Sequence, residues 1–200
     1  MDNIKDLNIA ILATNGFEHS ELFIPKKKIE DAGGKATIVS LDSGSIKSWK
    51  DGNWGETVKV DKLVSEVTSD DFDGLVLPGG VINPDLLRDN EKAVNFVKDF
   101  FMDKKQKPVA AICHGPWMLV EADVVKGRTL TSYSSIKTDL INAGANWTDE
   151  EVVVDKGLVT SRSPADMEAF IDKMLEEFKE ETHRLRSRTR ASEQETSMLH

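Results

Sequence analysis

The chain has 200 residues, with 26 Lys and Arg against 35 Asp and Glu, a net charge of −9 and a hydrophobic fraction of 39%. At roughly 100–200 residues per domain this favours a single domain, which buries about 70% of its unfolded surface and so builds a core without staples. The acidic balance argues against a general affinity for nucleic acid or anionic lipid, and no apolar run approaches the roughly 18 residues of a bilayer span. One cysteine excludes an internal disulfide and a Cys-rich zinc site, and it fits a reducing cytoplasm.

Asn8–Ala13 reads as a first strand rather than a targeting segment, since acidic residues precede it and no small-residue cleavage site follows. A helix is predicted from Ser20 to Asp31, with Pro25 near its start and Gly33-Gly34 as its stop. Lys35–Leu41 is a second strand, and Ile46–Leu63 carries polar alternation and an Asp51-Gly52 turn signal that predict a hairpin or edge strands. Within that segment Trp49 and Trp54 are expected to pack into the core. Gly74–Leu77 is a buried strand ending in Pro78-Gly79-Gly80. Asn90–Lys104 has Ala93, Val94, Val97, Phe100 and Phe101 at helical spacing, and Val109–Ile112 is a fully apolar strand running into Cys113. A short strand near Leu130, a helix over Ile136–Ala143, strands near Val152–Val154 and Leu158–Thr160, and a helix from Pro164 to Phe178 complete the body. Residues 1–178 are thus expected to form one domain. Residues 179–200 hold five Lys and Arg against four Glu and almost no bulky apolar side chains, which predicts a frayed helix end and a flexible extension.

Alternating strand and helix units with near-continuous apolar strands predict a three-layer α-β-α sandwich with a mainly parallel, flavodoxin-like sheet. In such sheets the functional crevice lies beyond the carboxyl ends of the strands. Three unusual segments leave strands there: Thr14-Asn15-Gly16-Phe17-Glu18-His19, Pro78-Gly79-Gly80 and Cys113-His114-Gly115-Pro116. The last is a strand turning sharply into a helix, a nucleophile elbow that presents Cys113 to helix N–H groups and is expected to lower its thiol pKa. The plain alternative is a small hydrophobe at a buried strand end. Glu18 reads either as a helix-start carboxylate or as a cleft carboxyl able to exchange a proton with the thiol. Gly79-Gly80 is either a plain turn or a source of N–H groups for an oxyanion, together with the N–H of His114. His19 would reach a metal only in company with Cys113 and His114, which have no ligand spacing. Of four histidines, His183 and His200 lie in the tail, so His114 is the imidazole left to assist the thiol, and its adjacency in sequence predicts a poor hydrogen bond.

These residues resemble the PfpI intracellular protease family, within the DJ/ThiJ/PfpI superfamily of class I glutamine-amidotransferase-like folds. The resemblance spans about Asn8 to Phe178. It is carried by Gly16-Phe17-Glu18, Leu77-Pro78-Gly79-Gly80, Ala111-Ile112-Cys113-His114-Gly115-Pro116 and Thr131-Ser132-Tyr133, then by Asp139–Ala145, Glu151–Asp155 and Ser161–Asp166 in that order. It implies Cys113 as nucleophile, Glu18 as the carboxyl bonded to its sulfur, and His114 as second catalytic residue. It further implies Asp85 as an acid supplied by a neighbouring subunit of a homodimer or hexamer, Tyr133 as a substrate-binding residue, and no cofactor.

Three functions fit that implication. One is cofactor-free conversion of reactive dicarbonyls such as methylglyoxal, or removal of their early protein adducts, through a Cys113 thiolate. The second is an intracellular cysteine peptidase using His114 and Asp85. The third is a non-enzymatic stress protein in which Cys113 senses oxidant and Glu18 stabilises the sulfinate.

Overall fold

The computed structural model describes residues 4–102 and 107–180. The first apolar run becomes strand β1 (Asn8–Leu12), followed by β2 (Phe17–Glu18) and helix α1 (His19–Asp31). Next come β3 (Lys35–Ser40), β4 (Ser45–Lys50), β5 (Asn53–Lys59), β6 (Lys62–Leu63), β7 (Gly74–Leu77), α2 (Ile82–Arg88) and α3 (Glu91–Met102). The second half runs β8 (Val109–Ile112), α4 (Trp117–Glu121), β9 (Thr129–Leu130), α5 (Lys137–Asn142), β10 (Asn146–Trp147), β11 (Val152–Asp155) and β12 (Leu158–Ser161). It ends in α6 (167–180). The expected tail beyond 180 lies outside the described residues.

Seven strands form one sheet in the order β11-β12-β8-β7-β1-β3-β6, parallel throughout except for the antiparallel β11–β12 pair at one edge. Strand periodicity divides its side chains between two apolar layers. Ala10, Leu12, Leu75, Leu77, Val109 and Ala111 face one way, against Phe96 and Phe100 of α3 and Leu119 of α4. Ile9, Ile11, Val76, Ala110 and Ile112 face the other, against Leu22 and Ile29 of α1 and Phe170, Met174 and Phe178 of α6. The fold is therefore the expected α-β-α sandwich. Phe72, Phe96 and Phe100 make consecutive edge-to-face contacts at 5.8 and 5.3 Å, and each buried Phe contributes about 1.5–3 kcal/mol relative to exposure.

The predicted hairpin is β4–β5, closed by Asp51 and Gly52 with φ of 50° and 77°, the two positive φ values that a two-residue type I′ turn demands. With β2 it makes a separate three-stranded sheet beside the crevice. Trp54 is 47% exposed rather than packed in the core, because β5 is an edge strand; its ring meets Trp49 edge-on at 5.3 Å. Pro25 also departs from expectation. Helix α1 begins at His19, which puts the proline in the helix interior rather than the first turn. Among the described residues, no helix is long and apolar enough to cross a membrane.

Candidate active site

Strands β1, β7 and β8 are parallel neighbours, so the three segments that follow them converge at one end of the sheet. Cys113 leaves β8 in the left-handed region, with φ of 63°. Its N–H donates to Ser161 O at 3.0 Å and its carbonyl accepts from Tyr133 N–H at 2.8 Å, so backbone on both sides holds this strained residue. Gly115 closes the elbow, donating to Ile112 O at 2.8 Å. A Cβ on Gly115 would collide with the carbonyl oxygen of Leu77 and sit 2.9 Å from that of Ile112. Helix α4 is only five residues long, so individual N–H groups rather than a macrodipole make the local field.

Two such groups, the backbone N–H of Gly80 and of His114, are directed at the Cys113 sulfur. Gly79 was expected to join them, but its N–H is taken by Glu21 Oε2 at 2.7 Å. The turn cannot carry a side chain at that point. A Cβ on Gly79 would lie 2.6 Å from Glu21 Oε2 and 2.8 Å from both Cys113 Cβ and His114 N.

The carboxyl beside the thiol is Glu21, not Glu18. Glu18 is the N-cap of α1: its Oε2 accepts from Glu21 N–H at 2.9 Å and from the Ser20 hydroxyl, the use that a helix-start acid ordinarily finds. One turn further in, Glu21 is fully buried and its carboxyl faces the Cys113 thiol, while its Oε1 has no hydrogen-bond partner among the described residues. Burial, and then the negative charge of Glu18, raise the Glu21 pKa to about 8. A signal for Glu21 was present in the sequence. Glu21, Pro25 and Ile29 fall at i, i+4 and i+8 on the buried face of α1, where a carboxyl is out of place unless it has a task.

The thiol is also shifted upward, against the expectation of a lowered value. Burial is the first cause and the Glu21 carboxylate the second, and together they outweigh the two N–H groups. The pair thus loses its first proton as a unit. When that proton comes off sulfur, the Glu21 O–H, Gly80 N–H and His114 N–H all face the resulting thiolate.

His114 does better than its adjacency predicted. The turn at Cys113 brings Nδ1 to 3.2 Å from the sulfur, and Nε2 lies 3.0 Å from Ser135 Oγ. Burial lowers its pKa, favouring the neutral imidazole. Tyr133 stacks on that ring at 4.8 Å and is 41% exposed, which places it at the mouth of the site. Trp117 packs edge-on against the other side at 5.3 Å, with the Arg88 guanidinium over its ring. Asp85, on α2, is exposed and sits 3.4 Å from Arg88 Nε. His19 is turned away, its Nδ1 3.3 Å from Ser48 Oγ and its Nε2 3.8 Å from Glu56. Among the described residues, no cluster of three or more His, Cys, Asp or Glu side chains is arranged to hold a metal.

The model of the DJ-1/PfpI family matches residues 7–177. YraA of Bacillus subtilis, named as a candidate cysteine protease, is 48% identical over 162 residues, 81% of this chain and 92% of its own. Deglycase PfpI of Pyrococcus furiosus is 46% identical over 165 residues, 82% of this chain and 95% of its own. Among solved structures, a two-domain protein from Anabaena variabilis with DJ-1/ThiJ/PfpI-like and ferritin-like domains matches with a TM-score of 0.80 and 33% identity. That match covers 86% of this chain and 48% of the other. With its thiol on a strand-end elbow and a family match across nearly all of the described fold, this chain belongs to the DJ-1/PfpI family, among relatives that carry the names of enzymes.

Proposed function

We propose that the protein converts reactive 1,2-dicarbonyls, or their early adducts on proteins, by thiol chemistry at Cys113. The observation that carries the reading is the buried Cys113–Glu21 pair, in which a carboxyl raised to about 8 shares protons with a sulfur faced by two backbone N–H groups. With methylglyoxal, the thiolate adds to the aldehyde carbon and the carbonyl oxygen takes a proton, giving a hemithioacetal. Glu21 or His114 then removes the hydrogen from that carbon and returns a proton to the neighbouring one. The product is a lactoyl thioester, which water cleaves to lactate and free thiol. The aldehyde carbon is oxidised as the ketone carbon is reduced, so the sum is methylglyoxal plus water to lactate, with no external oxidant. Tyr133 at the mouth supplies a face for the substrate, and Asp85 of a second copy is the acid we assign to the outer side of His114 in a homo-oligomer. The relative named Deglycase PfpI supports this chemistry, and a reducing cytoplasm would keep the thiol available.

The test is lactate formation from methylglyoxal in amine-free buffer, since buffer amines consume dicarbonyls and imitate turnover. Cys113→Ser is expected to form lactate on the order of 10³-fold more slowly than wild type. Equal rates in the two proteins would remove Cys113 from the reaction and the proposal with it.

One observation favours a peptidase as the second reading: the 3.2 Å approach of His114 Nδ1 to the sulfur, with Ser135 orienting the ring. That reading expects cleavage of fluorogenic peptides that is lost in Asp85→Ala.

A further inference from the structure

Asn83, on α2, is fully buried and belongs to none of the groups assigned above. Its Oδ1 accepts from Thr14 N–H at 2.7 Å, and its Nδ2 donates to Pro78 O at 3.0 Å and to Gly79 O at 3.1 Å. These partners fix which end of the amide is which, because an N–H can meet only its oxygen and a carbonyl only its nitrogen. The two carbonyls have a particular value. Pro78 O shares a peptide plane with Gly79 N–H, and Gly79 O shares one with Gly80 N–H. In a trans peptide the C=O and N–H point to opposite sides. An amide that grips both oxygens from one side therefore aims both N–H groups to the other, where Gly79 N–H meets Glu21 Oε2 at 2.7 Å and Gly80 N–H meets the Cys113 sulfur.

Glycine makes this grip necessary. Two successive residues without Cβ, the second at φ of 75°, have little of their own to stop a peptide plane from rotating. Gly79 O has a second but longer partner in Glu18 N–H at 3.3 Å. We infer that Asn83 is the positioning residue of the Gly79-Gly80 turn: its side-chain amide orients the two peptide planes whose N–H groups hold Glu21 and face the Cys113 sulfur. Through Thr14 the same amide ties the chain leaving β1 to the chain leaving β7, so the two walls of the crevice keep their spacing.

The inference rests on the proposed function only for what the sulfur does to a substrate, and its test is separable from that reading. Cys113 is the chain's only cysteine, so iodoacetamide labelling reports on it alone. Labelling rates are measured across pH for wild type, Asn83→Ala, Asn83→Asp and Leu87→Ala. The Asp variant keeps the shape and the acceptor for Thr14 but loses both donors. Leu87→Ala deletes a buried apolar side chain from the same helix and serves as the control for lost stability alone. Both Asn83 variants are expected to move the labelling profile upward by about one pH unit, so that labelling at pH 7.5 slows about tenfold. Leu87→Ala is expected to lower the unfolding temperature and leave the profile in place. In the lactate assay the Asn83 variants should lose kcat at least about tenfold with little change in KM. A folded Asn83 variant with the wild-type labelling profile would overturn the inference. A shifted profile in a protein whose wild type makes no lactate would uphold Asn83 and overturn the dicarbonyl reading instead.

Discussion

Glu21→Gln is expected to stop turnover while making the folded protein more stable at neutral pH. Glu21 ionises at about 8 in the fold against 4.5 for an unperturbed carboxyl. The folded state therefore binds the extra proton, and the stability that goes with it is complete below about pH 4.5 and is lost as pH rises to 8. At pH 7 the loss amounts to about 3 kcal/mol. Gln is neutral throughout, still accepts from Gly79 N–H and still offers a donor to sulfur, so it escapes this loss. Denaturant midpoints at pH 5, 7 and 8.5 should fall for wild type and change far less for the variant; parallel curves would refute the assignment of a raised carboxyl to Glu21. Because Gln cannot take up or release the proton, lactate formation should drop about 10²–10⁴-fold, even as Cys113 remains open to alkylation.

Gly80→Ala carries the other large effect. A methyl group there would overlap the carbonyl oxygen of Gly16 and lie 2.8 Å from Glu18 N, both main-chain atoms that cannot swing aside, at a residue with φ of 75°. The expected loss is about 3 kcal/mol or more. Gly44 has a more positive φ, 97°, with nothing within 4 Å of its would-be Cβ, so Gly44→Ala should cost only the left-handed strain of about 1–2 kcal/mol. Urea unfolding of the two variants separates crowding from strain: equal losses would show that close approach to the β1–β2 turn contributes nothing.

The sheet was legible because its strands are written as short apolar runs. Val109–Ile112 and Gly74–Leu77 are buried from end to end, and their parity sorts residues to the two faces without further information. The type I′ turn was equally plain in Asp51-Gly52. What the sequence concealed depended on where helices begin. Reading α1 from Ser20 left Glu18 open between a helix-start carboxylate and a cleft carboxyl; the helix begins at His19, which makes Glu18 its cap and leaves Glu21 as the acid beside the elbow. Glu21 lies on the buried face of α1 with Pro25 and Ile29, whereas Glu18 precedes the helix and spends its carboxylate on the N–H of Glu21. Helix α2 was not anticipated at all, being only seven residues long with Pro84 in its first turn, and with it went Asn83, whose role is set by carbonyls that no side-chain pattern reveals. The closeness of His114 Nδ1 to sulfur was likewise hidden, since it follows from the positive φ at Cys113 rather than from any spacing.

The backbone bond from Cys113 N–H to Ser161 O has a consequence for how the protein is made. On the ribosome, the cysteine emerges well before the strand that anchors it, and β8 must wait for β12 to arrive as its parallel neighbour. Helix α6, which covers the face of the sheet carrying Ile112 and Cys113, is later still. Until then the nascent chain holds an ordinary unshielded thiol, with an ordinary pKa and ordinary chemistry. The geometry of the elbow is acquired at the close of synthesis, so a prematurely terminated chain lacking residues beyond β11 would contain Cys113 without its enforced left-handed conformation.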